Sequence, residues 1–69
     1  MNRIKVKSSN IVSVGYDEDN KTLEVEFITS GTYRYFNVEK KVYTDFLSSS
    51  SKGKYFFKHI KGTYKFYKK

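Results

Sequence analysis

Cysteine, proline and tryptophan are absent from these 69 residues, and histidine occurs once. Without thiols there is neither a disulfide staple nor a thiolate metal site, and His59 alone cannot assemble a zinc centre. Long apolar runs are missing too. Nothing approaches the roughly 18 consecutive apolar residues of a membrane span, and the basic start at Met1–Lys7 is followed by no apolar signal-peptide core. These absences predict a cytoplasmic protein in a reducing setting, with no membrane partner. Glycine is sparse: Gly15, Gly31, Gly53 and Gly62 are too dispersed for a phosphate-cradling loop and suit turns, bulges and caps instead.

Carboxylates are missing from one region. Residues 50–69 hold Lys52, Lys54, Lys58, Lys61, Lys65, Lys68 and Lys69 with no Asp or Glu, whereas in residues 1–49 seven Lys/Arg are offset by seven Asp/Glu. The whole net charge of +7 therefore resides in the tail. The same stretch carries Tyr55, Phe56, Phe57, Tyr64, Phe66 and Tyr67, so cations and rings alternate as a surface for phosphates and stacked bases requires.

Thirteen aromatics compensate for the small core of so short a chain, which is expected to form a single domain over residues 1–69. Ile4 and Val6 alternate with basic residues as a short edge strand would. Residues Ile11–Tyr16 predict a strand with Val12, Val14 and Tyr16 on one face. After the polar turn Asp17–Asn20, Thr22–Thr29 alternates Leu23, Val25 and Phe27 inward against Glu24 and Glu26 outward. Ser30-Gly31 turns the chain into Thr32–Phe36, with Tyr33 and Tyr35 on one face and Arg34 and Phe36 on the other.

Asn37 suits a helix N-cap and Glu39 the positive first turn, and Val38, Val42 and Phe46 with Tyr43 and Leu47 have amphipathic-helix spacing. The run Ser48–Ser51 breaks this helix. Ser51 then caps a second one, roughly Lys52–His59, with Phe56 and Ile60 inward and Gly62 as its left-handed terminator. Thr63–Lys69 reads either as a last strand or as a fraying tail. The expected fold is α+β: an antiparallel meander of three or four strands, one amphipathic helix packed on it, a second short helix and a basic C-terminal tail.

The catalytic inventory is poor, because the single histidine lies among lysines and the carboxylates cluster in a turn or project from a strand. No enzyme activity, metal or cofactor is expected. Tyr33 and Tyr35 read either as core or as a stacking platform. Arg34 is free for a phosphate or for an ion pair with Glu24 or Glu26. The start of the second helix at Ser51, Lys52 and Lys54 suits an anion, or else its rings merely anchor it.

The ordered motifs resemble a known family. Ser8-Ser9-Asn10-Ile11, Gly15-Tyr16-Asp17, Leu23–Phe27, Tyr33-Arg34-Tyr35, Val42-Tyr43 with Phe46-Leu47, and Ser51-Lys52-Gly53-Lys54-Tyr55-Phe56 with Ile60 are similar to the KTSC domain over about residues 6–64. That domain is named for the C-terminus of certain lysyl-tRNA synthetases and also occurs as short stand-alone proteins in bacteria and phages. The resemblance implies RNA as a partner through the synthetase attachment. Two positions depart from the pattern: Val38 replaces a frequent proline, and Phe57 replaces a frequent asparagine.

The expected function is a nucleic-acid-binding module, for RNA above all. Lys52, Lys54, Lys58, Lys61 and Lys65 would contact phosphates, and Arg34, Tyr55 or Tyr64 would stack on bases. The alternative is a protein-interaction module, such as a small phage or mobile-element protein that binds an acidic surface or inhibits a host nucleic-acid-handling protein. Homo-oligomerisation through a free sheet edge or the tail aromatics is compatible with either.

Overall fold

The computed structural model describes residues 2–69. Five strands, β1 (Arg3–Lys5), β2 (Ile11–Asp17), β3 (Thr22–Phe27), β4 (Gly31–Tyr35) and β5 (Phe66–Lys68), form one antiparallel sheet in sequence order. The α+β expectation holds, with five strands in place of three or four. The tail supplies the extra one: β5 pairs Tyr33 with Lys68 and Tyr35 with Phe66, so Thr63–Lys69 ends as a strand rather than fraying. Helices α1 (Lys40–Ser48) and α2 (Lys52–Tyr55), the latter running directly into a π turn (Phe56–Ile60), cover one face.

Side-chain sidedness along β2 departs from simple alternation. Ile11 pairs with Phe27 and Ser13 with Glu26, which leaves Val12 as the extra residue of a β-bulge. The bulge returns Ile11 to the face of Val14, and both are buried, whereas Val12 is only half-buried. The expected face of Val12, Val14 and Tyr16 is thus corrected to Ile11, Val14 and Tyr16. On β3 the alternation is regular, with Leu23 and Val25 in the core and Glu24 and Glu26 on the opposite face.

Asn37 is not a helix cap. It adopts φ +60, a left-handed conformation that its short polar side chain tolerates, and α1 begins later, after Glu39, without a side-chain cap bond. Val38, between turn and helix, is fully buried, and Tyr16 donates its hydroxyl hydrogen bond to the Val38 carbonyl. Farther along α1, Phe46 enters the core and Tyr43 stacks on Tyr16 with centroids 4.9 Å apart.

The serine run joins the helices by satisfying their ends. Ser48 and Ser49 hydroxyls donate to the carbonyls of Thr44 and Phe46, and Ser51 Oγ accepts from the Lys54 amide at 3.3 Å, the expected cap. Phe56 and Ile60 then enter the core, as their spacing predicts. The second half of this helix widens, with the Lys61 amide donating to the Phe56 carbonyl at 2.8 Å, and Gly62 at φ +80 ends it.

Candidate functional site

Ion pairing separates the cations into two groups. Arg3, Lys21, Arg34, Lys40, Lys41 and Lys69 pair with carboxylates. Lys5, Lys7, Lys52, Lys54, Lys58, Lys61, Lys65 and Lys68 form no ion pair with any described residue. The surplus charge left by folding therefore includes two N-terminal lysines as well as the tail.

Part of this surplus converges on a groove of about 770 Å³ between the Ser8–Asn10 loop and the start of α2. Lys7 lies on one side and Lys52, Lys54 and Lys58 on the other, with serines between them and no carboxylate in the lining. The loop holds its shape because Ser8 Oγ accepts from the amides of Asn10 and Ile11, and the Asn10 carbonyl accepts from Ile28. The opposing wall packs close at Gly53, where a Cβ would meet Asn10 Nδ2 in ordinary contact at 3.6 Å. Lys52 Nζ folds back to the Ser49 carbonyl at 2.8 Å, while Lys54 and Lys58 remain without a side-chain partner among the described residues.

The expected site residues do not all meet. Lys52, Lys54 and Lys58 share the groove, and Lys61 stands beyond it, with Nζ 4.8 Å from the Phe57 ring centroid. Tyr55 turns toward α1, its centroid 5.7 Å from Phe46 and 4.5 Å from His59, and burial pushes its hydroxyl pKa up. Tyr64 is half-buried against the core, and Lys65 is exposed with its carbonyl accepting from Phe36.

Arg34 lies on the helix-free sheet face. Its Nε and Nη2 donate to Glu24 at 3.0 and 2.6 Å, so the ion-pair alternative is realised. Arg3 donates to the other Glu24 oxygen, and Lys69 Nζ joins at 3.1 Å. Burial alone would raise the Glu24 carboxyl, but hydrogen bonds from Arg34, Lys69 and Arg3 outweigh it and hold the pKa at about 2.

A second concavity, of about 250 Å³, adjoins the groove on the helix-covered side of β3, β4 and β5. Phe27, Tyr33, Tyr35, Phe56, Phe57 and Phe66 line it. Tyr35 is 4% exposed, which settles its role as core, and Tyr33 is half-buried between Phe27 and Phe66. Burial, with Tyr33 beside it, pushes the Tyr35 hydroxyl up to about 12.

Sequence reasoning missed Lys7 and the position of Phe57, which lines both concavities. Lys7 lies in a balanced-charge region and carries no local signal; only packing of its loop on α2 brings it to the other lysines. Among the described residues, no group of three or more His, Cys, Asp or Glu side chains is placed to hold a metal, and no helix is long and apolar enough to cross a membrane.

Comparison with known proteins gives a consistent result. The family model described as KTSC domain matches residues 7–64. A lysine–tRNA ligase from Nostoc punctiforme is 38% identical over 63 residues, covering 91% of this chain and 11% of the ligase, so the chain spans only a small part of that relative. An uncharacterised protein from Stutzerimonas stutzeri is 39% identical over 56 residues, covering 81% of this chain and 79% of that protein. The crystal structure of a KTSC domain protein from Yersinia pestis superposes with a TM-score of 0.98 at 43% identity, covering 99% of this chain and 96% of that one.

Proposed function

The chain belongs to the KTSC domain family, and from that premise we propose that it is a non-catalytic, cytoplasmic module that binds RNA through the lysine groove. The observation that carries this reading is the convergence of Lys7, Lys52, Lys54 and Lys58 on one carboxylate-free concavity. Like charges gathered without counter-charges cost folding energy and attract polyanions, whose phosphates displace condensed counterions when neutralised. The relative named lysine–tRNA ligase supports RNA as the polyanion, since its name states that it acts on a tRNA. Lys61 extends the cationic surface, whereas Lys65 lies at the other end of β4, beside Phe36. Arg34, held by Glu24, contributes charge from the opposite sheet face and is a weaker stacking candidate than the rings near Phe57.

The test is a titration of labelled single-stranded RNA at several salt concentrations. Four groove contacts predict a slope of log affinity against log salt of about −3, and the double variant K54E/K58E should flatten it by more than 1. A flat response in the unmodified protein would overturn the reading.

One observation favours the protein-interaction alternative. Ile28 and Phe57 are both more than half exposed and flank a concavity that shares Ser9, Asn10 and Phe57 with the lysine groove, an apolar spot next to surplus positive charge that suits an acidic partner. For a small phage or mobile-element protein, that partner would be a host nucleic-acid-handling protein. Recovery of a stoichiometric protein that survives nuclease treatment and is lost in F57A would establish it over RNA.

A further inference from the structure

We propose that the aromatic concavity receives a single unpaired nucleobase whose phosphate is held at the rim by Lys61 and Lys68. The inference rests on the RNA-binding reading and assigns a base-recognition site to it.

Size, surface and charge each narrow the occupant. A volume of about 250 Å³ falls below the roughly 300–1,000 Å³ of ordinary small-molecule sites, so it suits one ring system rather than a folded ligand. The floor consists of rings that already meet edge to face: Phe27 on Tyr33 at 84° between planes, Phe27 on Phe56 at 70° and Tyr35 on Phe56 at 73°. The walls are Phe57 and Phe66, exposed at 57% and 58%, which leaves ring surface outside the Lys61 contact on Phe57 for stacking.

The rim selects sign. Lys61 Nζ lies over Phe57, Lys68 Nζ is 5.8 Å from the Tyr33 centroid, and no carboxylate lines the cavity. A cationic guest would be repelled, whereas an aromatic ring carrying a phosphate matches both floor and rim. Polar recognition is available as well. Tyr35 is almost wholly buried, yet its hydroxyl bonds to no other described residue, and no fully buried side-chain polar atom among them lacks a partner. Tyr35 lines the cavity, where a neutral phenol with no hydrogen-bond partner among the described residues can donate to or accept from a base edge.

Helical spacing creates this arrangement: Phe56 turns into the core with Ile60, while its neighbour Phe57 stands at the rim one turn before Lys61, which lies over its ring. Phe57 also lines the lysine groove, so a strand lying in the groove can place its next base in the cavity without crossing the sheet.

The test is an NMR titration of the full chain with adenosine 5′-monophosphate and, separately, ribose 5-phosphate at matched ionic strength. The monophosphate should shift ring signals of Phe57, Phe66 and Tyr33 and ribose 5-phosphate should not, while F57A and F66A should each weaken it tenfold or more. Both replaced rings are exposed, and an unchanged core spectrum establishes that the variants fold. Equal responses to the two ligands, or shifts confined to groove lysines, would overturn the proposal. Single-stranded RNA supplies the separating arm. RNA binding unchanged in both variants keeps the groove and overturns the base site; monophosphate in the cavity without RNA binding keeps the site and overturns the RNA reading.

Discussion

Glu24 is 3% exposed and accepts from Arg3, Arg34 and Lys69, so a single buried carboxylate gathers three cations. Arg3 must reach across β2 to meet it, and the intervening register position is Gly15, which has no side chain in the way. The carboxyl pKa falls from 4.5 to about 2, so the charged form is favoured on folding. The associated stability, about 3 kcal/mol, is fully present above the unfolded-state value and is lost as pH falls from about 4.5 through 2. Urea denaturation of Glu24→Gln at pH 7 should show a loss of that order, with the difference from the parent vanishing near pH 2. The surface pairs Lys21–Glu39, Lys40–Glu18 and Lys41–Asp45 should each contribute below about 1 kcal/mol. The alternation of β3 reveals that Glu24 faces away from the core, yet its burial was not legible. The three cations that cover it come from positions 3, 34 and 69 and meet only in the assembled sheet.

At the scale of elements, the junction between α1 and α2 is set by local chemistry. Ser51→Ala removes the acceptor for the Lys54 amide and should cost about 1 kcal/mol, measurable as a lower denaturation midpoint at unchanged slope. Because Ser51 is also part of the groove, the same variant should leave the salt slope of RNA binding unaltered if lysines carry the contacts. The cap at Ser51, the inward Phe56 and Ile60 and the terminating Gly62 were all legible, since each depends on neighbours within one or two turns. The π turn was not, as nothing in Phe56–Ile60 distinguishes a widened turn from an α-helical one. Asn37 misled for a related reason: an asparagine suits both a cap and a left-handed turn, and the path from β4 to α1 decided between them.

Across the whole molecule, β5 ties the end of the chain to its middle. Lys69 bonds Thr32 through its backbone and Glu24 through its side chain, and Phe66 covers Tyr33 and Tyr35. Ending the chain after Lys65 should therefore cost about 2 kcal/mol, seen in a thermal melt as a fall of roughly 10 °C in Tm. Alkaline stability has its own source. Tyr35, raised from 10.0 to about 12 chiefly by burial, favours the neutral folded form, so its contribution is complete below pH 10 and disappears as pH rises through 12. A plot of unfolding free energy against pH should fall at both ends, and Tyr35→Phe should flatten the alkaline limb.

By itself the sequence determined the α+β class, the inward faces of β3 and both helices, the shared face of Tyr33 and Tyr35, the cap at Ser51 and the surplus of lysines, because periodicity, capping and charge balance act over a few residues. Tertiary structure decided the fifth strand, the bulge at Val12, the burial of Glu24 and the meeting of Lys7 with Lys52, Lys54 and Lys58. Each of these depends on contacts between residues far apart in the chain, whose pairing is fixed by the closure of the sheet and the packing of the core.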